Sequence, residues 1–341
     1  MNGVVYPDYY RKFKCIADRC TDSCCIGWEI DIDSESMERY KNCGGELGRR
    51  LSENIALSED GTLSFILGEN ERCPFLNSRN LCDIYAELGE DALCKICADH
   101  PRFRSFFSDR TEVGLGLCCE AAAKIILSRR GIFSFENPEE PWSDSFENAL
   151  LDIRREAFRI VSADGDVFEN LGRLLNFSEA AQYALDNGEA VSADNIFGGE
   201  LPFLKGGRLA ENAVSLLGKM ESISAEWDNM LAEIISGNYE TAFPERVRFD
   251  INEELEQAAQ YFIFRHFPEA IDDGDVLSKA YFAAFGCAVI YVMEGVYLRK
   301  NGGLSFTDRI NAAKLFSKQA EYSEENMEMF FEWVWDMKGG S

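Results

Sequence analysis

Residues 15–28 read CIADRCTDSCCIGW, four thiols within eleven positions, with Cys24 and Cys25 adjacent. The clustering continues beyond this block. Of twelve cysteines, eleven (Cys15, Cys20, Cys24, Cys25, Cys43, Cys73, Cys82, Cys94, Cys97, Cys118 and Cys119) precede residue 120, and Cys287 stands alone downstream. The opening MNGVVYPDYYRKFKC lacks the basic start, apolar centre and small-residue cleavage site of a secretory signal, so a cytoplasmic, reducing setting is expected. Disulfides rarely persist there, and the block points to a metal site or redox chemistry rather than to staples.

Zinc ribbons bring two CxxC knuckles to one tetrahedral ion. Here only Cys94-Lys-Ile-Cys97 has that form, and the remaining thiols are scattered irregularly over separated segments. Soft thiolate ligands select zinc, copper(I) or iron–sulfur clusters. An iron–sulfur cluster readily takes thiolates from distant segments, and structural zinc stays open as the alternative. In extended chain, adjacent side chains point to opposite sides, so Cys24 and Cys25 are expected not to bind one metal atom. A tightly held metal contributes on the order of 10 kcal/mol, which is the whole stability of a typical domain. The first 130 residues are therefore expected to collapse without it.

Sixty acidic against thirty-four basic residues give a formal charge of −26. That field repels nucleic-acid phosphate and anionic lipid, and it suits either a cationic partner or a well-solvated acidic surface. The longest apolar stretch, AYFAAFGCAVIYVM at 280–293, is shorter than a bilayer span and is expected to be a buried helix. Neither nucleic acid nor membrane is expected as a partner.

The pattern changes along the chain. Up to about residue 130 it is short and broken by turn pairs such as Gly44-Gly45 and Asp60-Gly61. SRRGIFSFENPEEPWSDS, residues 128–145, carries two prolines and an acidic run and reads as a linker. Beyond it, apolar residues recur at three- and four-residue spacing in DSFENALLDIRREAFRIV, LGRLLNFSEAAQYAL, RLAENAVSLLGKMESISAEWDNMLAEII and INEELEQAAQYFIFRHF. Asp275, Ser305 and Ser323 are placed to cap the last helices, with Asn301-Gly302 ending the first of them. The expected fold is mainly α: an irregular Cys-rich metal-binding domain over 1–130, a linker over 131–145 and an all-α helical domain over 146–341.

Other chemistries have little material. EVGLGLC, 112–118, imitates a nucleotide-binding glycine loop through Gly114 and Gly116, but the third glycine is missing and no apolar strand is read before it. The Walker pattern is absent, and so is a CxxxCxxC run, since Gly27 stands where its third thiol would be. His100 and His266 are the chain's two histidines. A two-histidine metal site or a Ser/His/Asp triad is correspondingly poorly supplied. His100, beside Asp99 and Pro101-Arg102, is a candidate supporting residue, and His266 reads as an ordinary residue at a helix end. Trp28, Tyr9, Tyr10 and Tyr85 are candidates for lining an apolar site, or equally for ordinary core.

YPDYYRKFKCIADRCTDSCCIGWEIDID, CPFL at 73–76, LCDIYAELGEDALCKICADHPRF at 81–103 and GLGLCCEAAAKIIL at 114–127 together resemble the flagellin lysine-N-methylase family. The first three blocks also resemble a broader group of zinc- or iron-chelating cysteine-rich proteins. The resemblance covers roughly the first 130 residues, with QYFIFRHFPEA similar downstream. It implies transfer of methyl groups from S-adenosylmethionine to flagellin lysine ε-amino groups, with a [4Fe-4S] cluster carried by the cysteines and zinc as the alternative. Carried over residue by residue, it implies Cys15, Cys20, Cys24, Cys25, Cys73, Cys82, Cys97 and Cys118 as metal ligands. Cys43, Cys94 and Cys119 depart from the family positions, and the resemblance assigns no catalytic or donor-binding residue. The competing expectation is a non-catalytic zinc- or iron-binding adaptor whose helical half docks a partner.

Overall fold

The computed structural model describes residues 3–27, 29–58, 61–136, 145–191, 197–237, 243 and 245–339. Along the chain run β1 (Gly3–Pro7), α1 (Ser34–Lys41), α2 (Gly45–Glu53), β2 (Ile55–Leu57), β3 (Leu63–Phe65), α3 (Asp83–Leu88), α4 (Lys95–Asp99), β4 (Arg102–Phe106), β5 (Arg110–Leu115), α5 (Glu120–Leu127) and β6 (Phe135–Glu136). The second half continues with α6 (Ser145–Val161), α7 (Val167–Asn187), β7 (Leu204–Lys205), β8 (Arg208–Leu209), α8 (Glu211–Leu217), α9 (Ala225–Ser236), α10 (Glu245–His266), α11 (Ala270–Asp273), α12 (Val276–Asn301), α13 (Phe306–Glu321) and α14 (Glu324–Met337).

These elements form two compact units: a thiol unit of residues 14–103 and 119–121, and a helical unit of 1–13, 104–118 and 122–341. The division differs from one placed at 131–145. β1 pairs in parallel with β5, Val5 opposite Glu112, and antiparallel with β6, Tyr6 opposite Glu136, so the first strand and residues 104–118 are held by the helical unit. Parallel pairing joins stretches about a hundred residues apart, and no local pattern announces it. Residues 137–144 of the expected linker lie outside the described residues.

The helical unit is organised around α12. All of its residues from Val276 to Val296 except Leu277 and Tyr291 are buried, because α7, α9, α10, α13 and α14 pack around it. The helix is long and apolar enough to cross a membrane by length and composition, but 89% of its most apolar window is buried within the protein. Gly286 shows how tight the packing is: a Cβ there would lie 2.8 Å from the rings of both Phe262 on α10 and Phe316 on α13. A mid-helix glycine costs about 1 kcal/mol in propensity, and close helix approach offsets that cost. The expected caps form. Asp275, Ser305 and Ser323 accept from Ser278 N, Asp308 N and Asn326 N, and Gly302 ends α12 in the left-handed conformation. The buried Glu112 on β5 meets Arg154 on α6 through two hydrogen bonds of 2.6 and 2.8 Å, fixing the sheet to the helices.

The thiol unit has a smaller core. Ile30, Ile32, Tyr40, Leu47, Leu51, Phe65, Phe75, Leu76 and Ile84 supply its apolar part, with Cys73 and Cys94 buried among them. Its helices have five to nine residues, too short to persist on their own propensity.

Candidate functional site

The thiols converge by local devices. Ile26 N donates to Ser23 O, so Cys24 and Cys25 sit in a turn rather than in extended chain, and the Cys24 thiol donates to Cys25. The backbone here is not the extended chain assumed from sequence, and Cys24 and Cys25 belong to different thiol groups. Residues 25–27 then run antiparallel to 71–73: Cys73 N donates to Cys25 O at 2.8 Å and Gly27 N to Glu71 O at 3.1 Å. The chain reverses, Leu76 pairs with Cys82, and Asp83 N donates to Phe75 O at 2.8 Å, which returns Cys82 to the neighbourhood of Cys73. Cys94 is the N-cap residue of α4 and Cys97 lies one turn on, their sulfurs 3.3 Å apart. Asp33, the N-cap of α1, also accepts from Lys95 N at 2.9 Å and so fixes the start of α4. Burial raises the Asp33 pKa, but the Lys95 and Ser36 amides outweigh it and hold the carboxyl at about 2.

Cys25, Cys73, Cys82, Cys94 and Cys97 thereby share one core cluster. Burial pushes the Cys73 thiol up to about 12 and raises Cys82, and in both cases Cys25 opposes ionisation further. The hydrogen bond between the Cys94 and Cys97 sulfurs raises Cys97 and lowers Cys94, and the contact with Cys24 likewise lowers Cys25. Several thiolates in one apolar core repel one another unless a cation neutralises them. The donor set therefore fits a soft metal or an iron–sulfur cluster. Among the described residues, no three His, Cys, Asp or Glu side chains form a closed ligand set; the thiols are neighbours in a core, not a preformed tetrahedron.

A second thiol group lies beside the first. Cys24 interacts with Cys15 and Cys119, and Cys20 with Cys119. Glu120 Oε2 ties this group down by accepting from Thr21 N at 2.8 Å, Thr21 Oγ1 at 2.6 Å and Cys20 Sγ at 3.6 Å. Burial pushes Cys20 up to about 11. The two groups meet at the Cys24–Cys25 pair.

Of the eight expected ligands, Cys25, Cys73, Cys82 and Cys97 are brought together, and Cys15, Cys20 and Cys24 form the adjoining group. Cys118 belongs to the helical unit, with its sulfur 2.9 Å from the Tyr322 hydroxyl. Cys94 and Cys119, outside the expected set, stand within the thiol groups. Neighbouring positions on one chain were separable only by knowing which way the start of α5 turns. Cys43 packs at the edge of the thiol core, and Cys287 is buried in α12. Tyr9 is core of the helical unit against Phe133, Tyr10 pairs with Tyr6, and Tyr85, in the thiol unit, is exposed. Trp28 lies outside the described residues, and His100 is the residue that ends α4.

The helical unit carries a polar constellation that sequence reading missed. The buried Glu321 carboxylate accepts from Tyr261 OH (3.0 Å), Arg265 Nε (3.2 Å), His266 Nε2 (2.8 Å) and Ser317 Oγ. Burial raises the carboxyl pKa, but Arg265 and His266 reverse the shift and keep it anionic. His266 Nδ1 meets Glu269 at 2.9 Å; burial disfavours the imidazolium, but Glu269 and Glu321 outweigh burial and raise its pKa. Arg265 lies over the Tyr322 ring. Gly116 closes the group: a Cβ there would lie 2.5 Å from Tyr322 OH, 3.2 Å from Cys118 Sγ and 3.3 Å from Arg265 Nη1. EVGLGLC forms the end of β5, with Gly114 inside the strand and Gly116 directly after it, and Gly116 is required by the approach of Tyr322. The signal was present as QYFIFRHFPEA, where helical spacing puts Tyr261, Arg265 and His266 on neighbouring faces.

Comparison with known proteins adds two family matches. Residues 207–339 match a family described as "FliB lysine N-methylase C-terminal domain", and residues 14–113 match one described as "Putative zinc- or iron-chelating domain". A lysine-N-methylase of Salmonella typhimurium is 27% identical over 133 residues, 37% of this chain and 32% of that protein. The flagellar biosynthetic protein FliU of Salmonella muenchen is 27% identical over 133 residues, 37% of this chain and 77% of that protein. The matched stretch thus spans about a third of the length of the lysine-N-methylase. No solved structure matches.

Proposed function

We propose, from the chain's relation to the flagellin lysine N-methylase family, that it methylates lysine ε-amino groups of flagellin with S-adenosylmethionine as donor and carries an iron–sulfur cluster in its thiol unit. The observation that carries this reading is the pairing, on one chain, of a thiol core within the chelating-domain match and a helical region within the N-methylase match. Cys25, Cys73, Cys82, Cys94 and Cys97 are the residues that would hold the cluster. When bound, it supplies positive charge that neutralises several thiolates and so stabilises the small core around them.

In the reaction, the lysine nitrogen attacks the sulfonium methyl carbon, the carbon–sulfur bond breaks, the thioether leaves and the amine nitrogen gives up a proton. With a lysine pKa near 10.4, presenting the neutral amine at pH 7 costs about 4 to 5 kcal/mol unless the site lowers that value. Carboxylates alone make this worse, so the transfer point has to be desolvated. Glu321 is a poor base, since four neighbouring side chains already donate to it. Its part is support: it holds Arg265 and Tyr261, and Arg265 in turn lies against Tyr322 beside the Gly116 loop.

Protein purified without oxygen, incubated with flagellin and methyl-labelled donor, is expected to place label on lysine in peptide maps. Intact iron-loaded protein that leaves flagellin unlabelled would favour the metal-binding adaptor instead.

A further inference from the structure

At one end of the helical unit, α14 and the start of α12 frame a groove of about 440 Å³ lined by Asp275, Ser278, Phe331, Glu332, Trp335 and Asp336. Trp335 is 62% exposed. An indole left in water is a large apolar face open to a partner. Two of the walls are aromatic, and three of the lining groups are carboxylates.

The neighbourhood already displays what such walls hold. Lys279 Nζ lies 4.0 Å from the centroid of Phe331, one of the groove's own rings, and is paired with Asp273 Oδ2 at 2.6 Å. Nearby, Lys338 Nζ lies 5.1 Å from the Tyr281 centroid and is paired with Glu179. Twice, a lysine ammonium is held by an aromatic face together with a carboxylate, the arrangement in which ring quadrupole and ion pair act on the same cation. The groove repeats those components, with Trp335 as the stronger aromatic partner and no lysine or arginine among its lining residues.

We infer that this groove docks a lysine side chain on the surface of the protein substrate. The inference rests on the proposed methylation of a lysine-bearing protein and identifies where such a substrate is gripped. Charge complementarity argues for a lysine over an apolar segment: the rim is acidic, and the whole chain carries −26. The same carboxylates keep a bound lysine in its ammonium form, which has no lone pair for attack, so the groove docks and does not react.

The test uses the full-length, metal-loaded protein and a flagellin surface peptide bearing several lysines, with its lysine-acetylated form as control. Calorimetric titration at low salt is expected to show binding of the first peptide that weakens about tenfold in Trp335→Ala and again in Glu332→Gln/Asp336→Asn. The acetylated peptide is expected to bind poorly to all three proteins. With flagellin as substrate, Trp335→Ala should raise KM and leave kcat, iron content and thermal midpoint unchanged. Equal affinity of wild type and Trp335→Ala for the lysine peptide, or equal binding of the acetylated peptide, would overturn the inference while leaving lysine methylation intact. Groove-dependent binding without any methylation would leave the docking site standing and remove the proposed activity instead.

Discussion

The two units solve the problem of buried polar groups in opposite ways. In the helical unit the buried charges are paired within the protein: Glu112 with Arg154, Glu254 with Arg309, and Glu321 with Arg265 and His266. In the thiol unit five sulfurs enter a core whose other members are mostly apolar, and their hydrogen bonds run to backbone amides such as those of Phe75 and Tyr85 and, for Cys94 and Cys97, to each other. The first arrangement supplies its own counter-charges. The second is a donor set in search of a cation, and its short helices have little else to hold them.

The largest expected effect sharpens that contrast. Chelation, or Cys73→Ser or Cys94→Ser, should remove on the order of 10 kcal/mol from the thiol unit. Hydrogen exchange is the readout: amides of residues 30–97 should lose protection while those of α10, α12 and α13 keep it. Uniform loss across both units would erase the distinction drawn between them.

Next in size is the helical unit's own pairing. Arg154→Met leaves Glu112 buried without its partner and should cost about 3–5 kcal/mol in denaturant unfolding, with metal content unchanged. The exposed Arg49–Glu46 pair, by contrast, has both side chains more than half exposed, and Arg49→Ala should leave the denaturation midpoint essentially unchanged.

Gly116→Ala should cost about 1–3 kcal/mol, because the added methyl must displace the Tyr322 hydroxyl. Combining it with Tyr322→Ala should cost less than the sum of the two changes, since the clash is then gone. Strict additivity in that cycle would show that the glycine does not serve the Glu321 constellation.

The smallest effect depends on pH. Glu294 is fully buried and one of its oxygens has no hydrogen-bond partner among the described residues; burial raises its pKa well above the ordinary value, and Glu254 beside it raises it further. Burial likewise lifts Glu254 to about 7 against the pull of Arg309. Groups with raised carboxyl pKa values bind protons better folded than unfolded, so their contribution is full below about pH 4.5 and is lost as pH rises toward the folded values. Glu294→Gln should therefore change the thermal midpoint little at pH 5 and should melt above wild type at pH 8. A constant difference across that range would contradict the assignment.

What could be read from the chain alone follows the range of the interactions involved. The caps at Asp275, Ser305 and Ser323 and the helical runs of the second half were legible because helix signals are local. The crowding of thiols was legible as composition. Which thiols meet was not: Cys94 joins the inner group because α4 begins there, Cys118 and Cys119 part company at the start of α5, and Cys24 and Cys25 turn together because residues 23–26 form a turn. The β1–β5 pairing and the Glu321 constellation both depend on contacts between distant segments. His266 looked like a helix-end residue because the carboxylate that holds it lies fifty-five positions downstream.

Metal and sulfide analysis of oxygen-free protein tests the central claim most directly, read alongside Cys73→Ser, Cys94→Ser and Cys118→Ser. The account predicts iron and acid-labile sulfide in the wild type, their loss in the first two variants and their retention in Cys118→Ser. Full iron in Cys73→Ser and Cys94→Ser, or a wild type that is folded and free of metal, would contradict it.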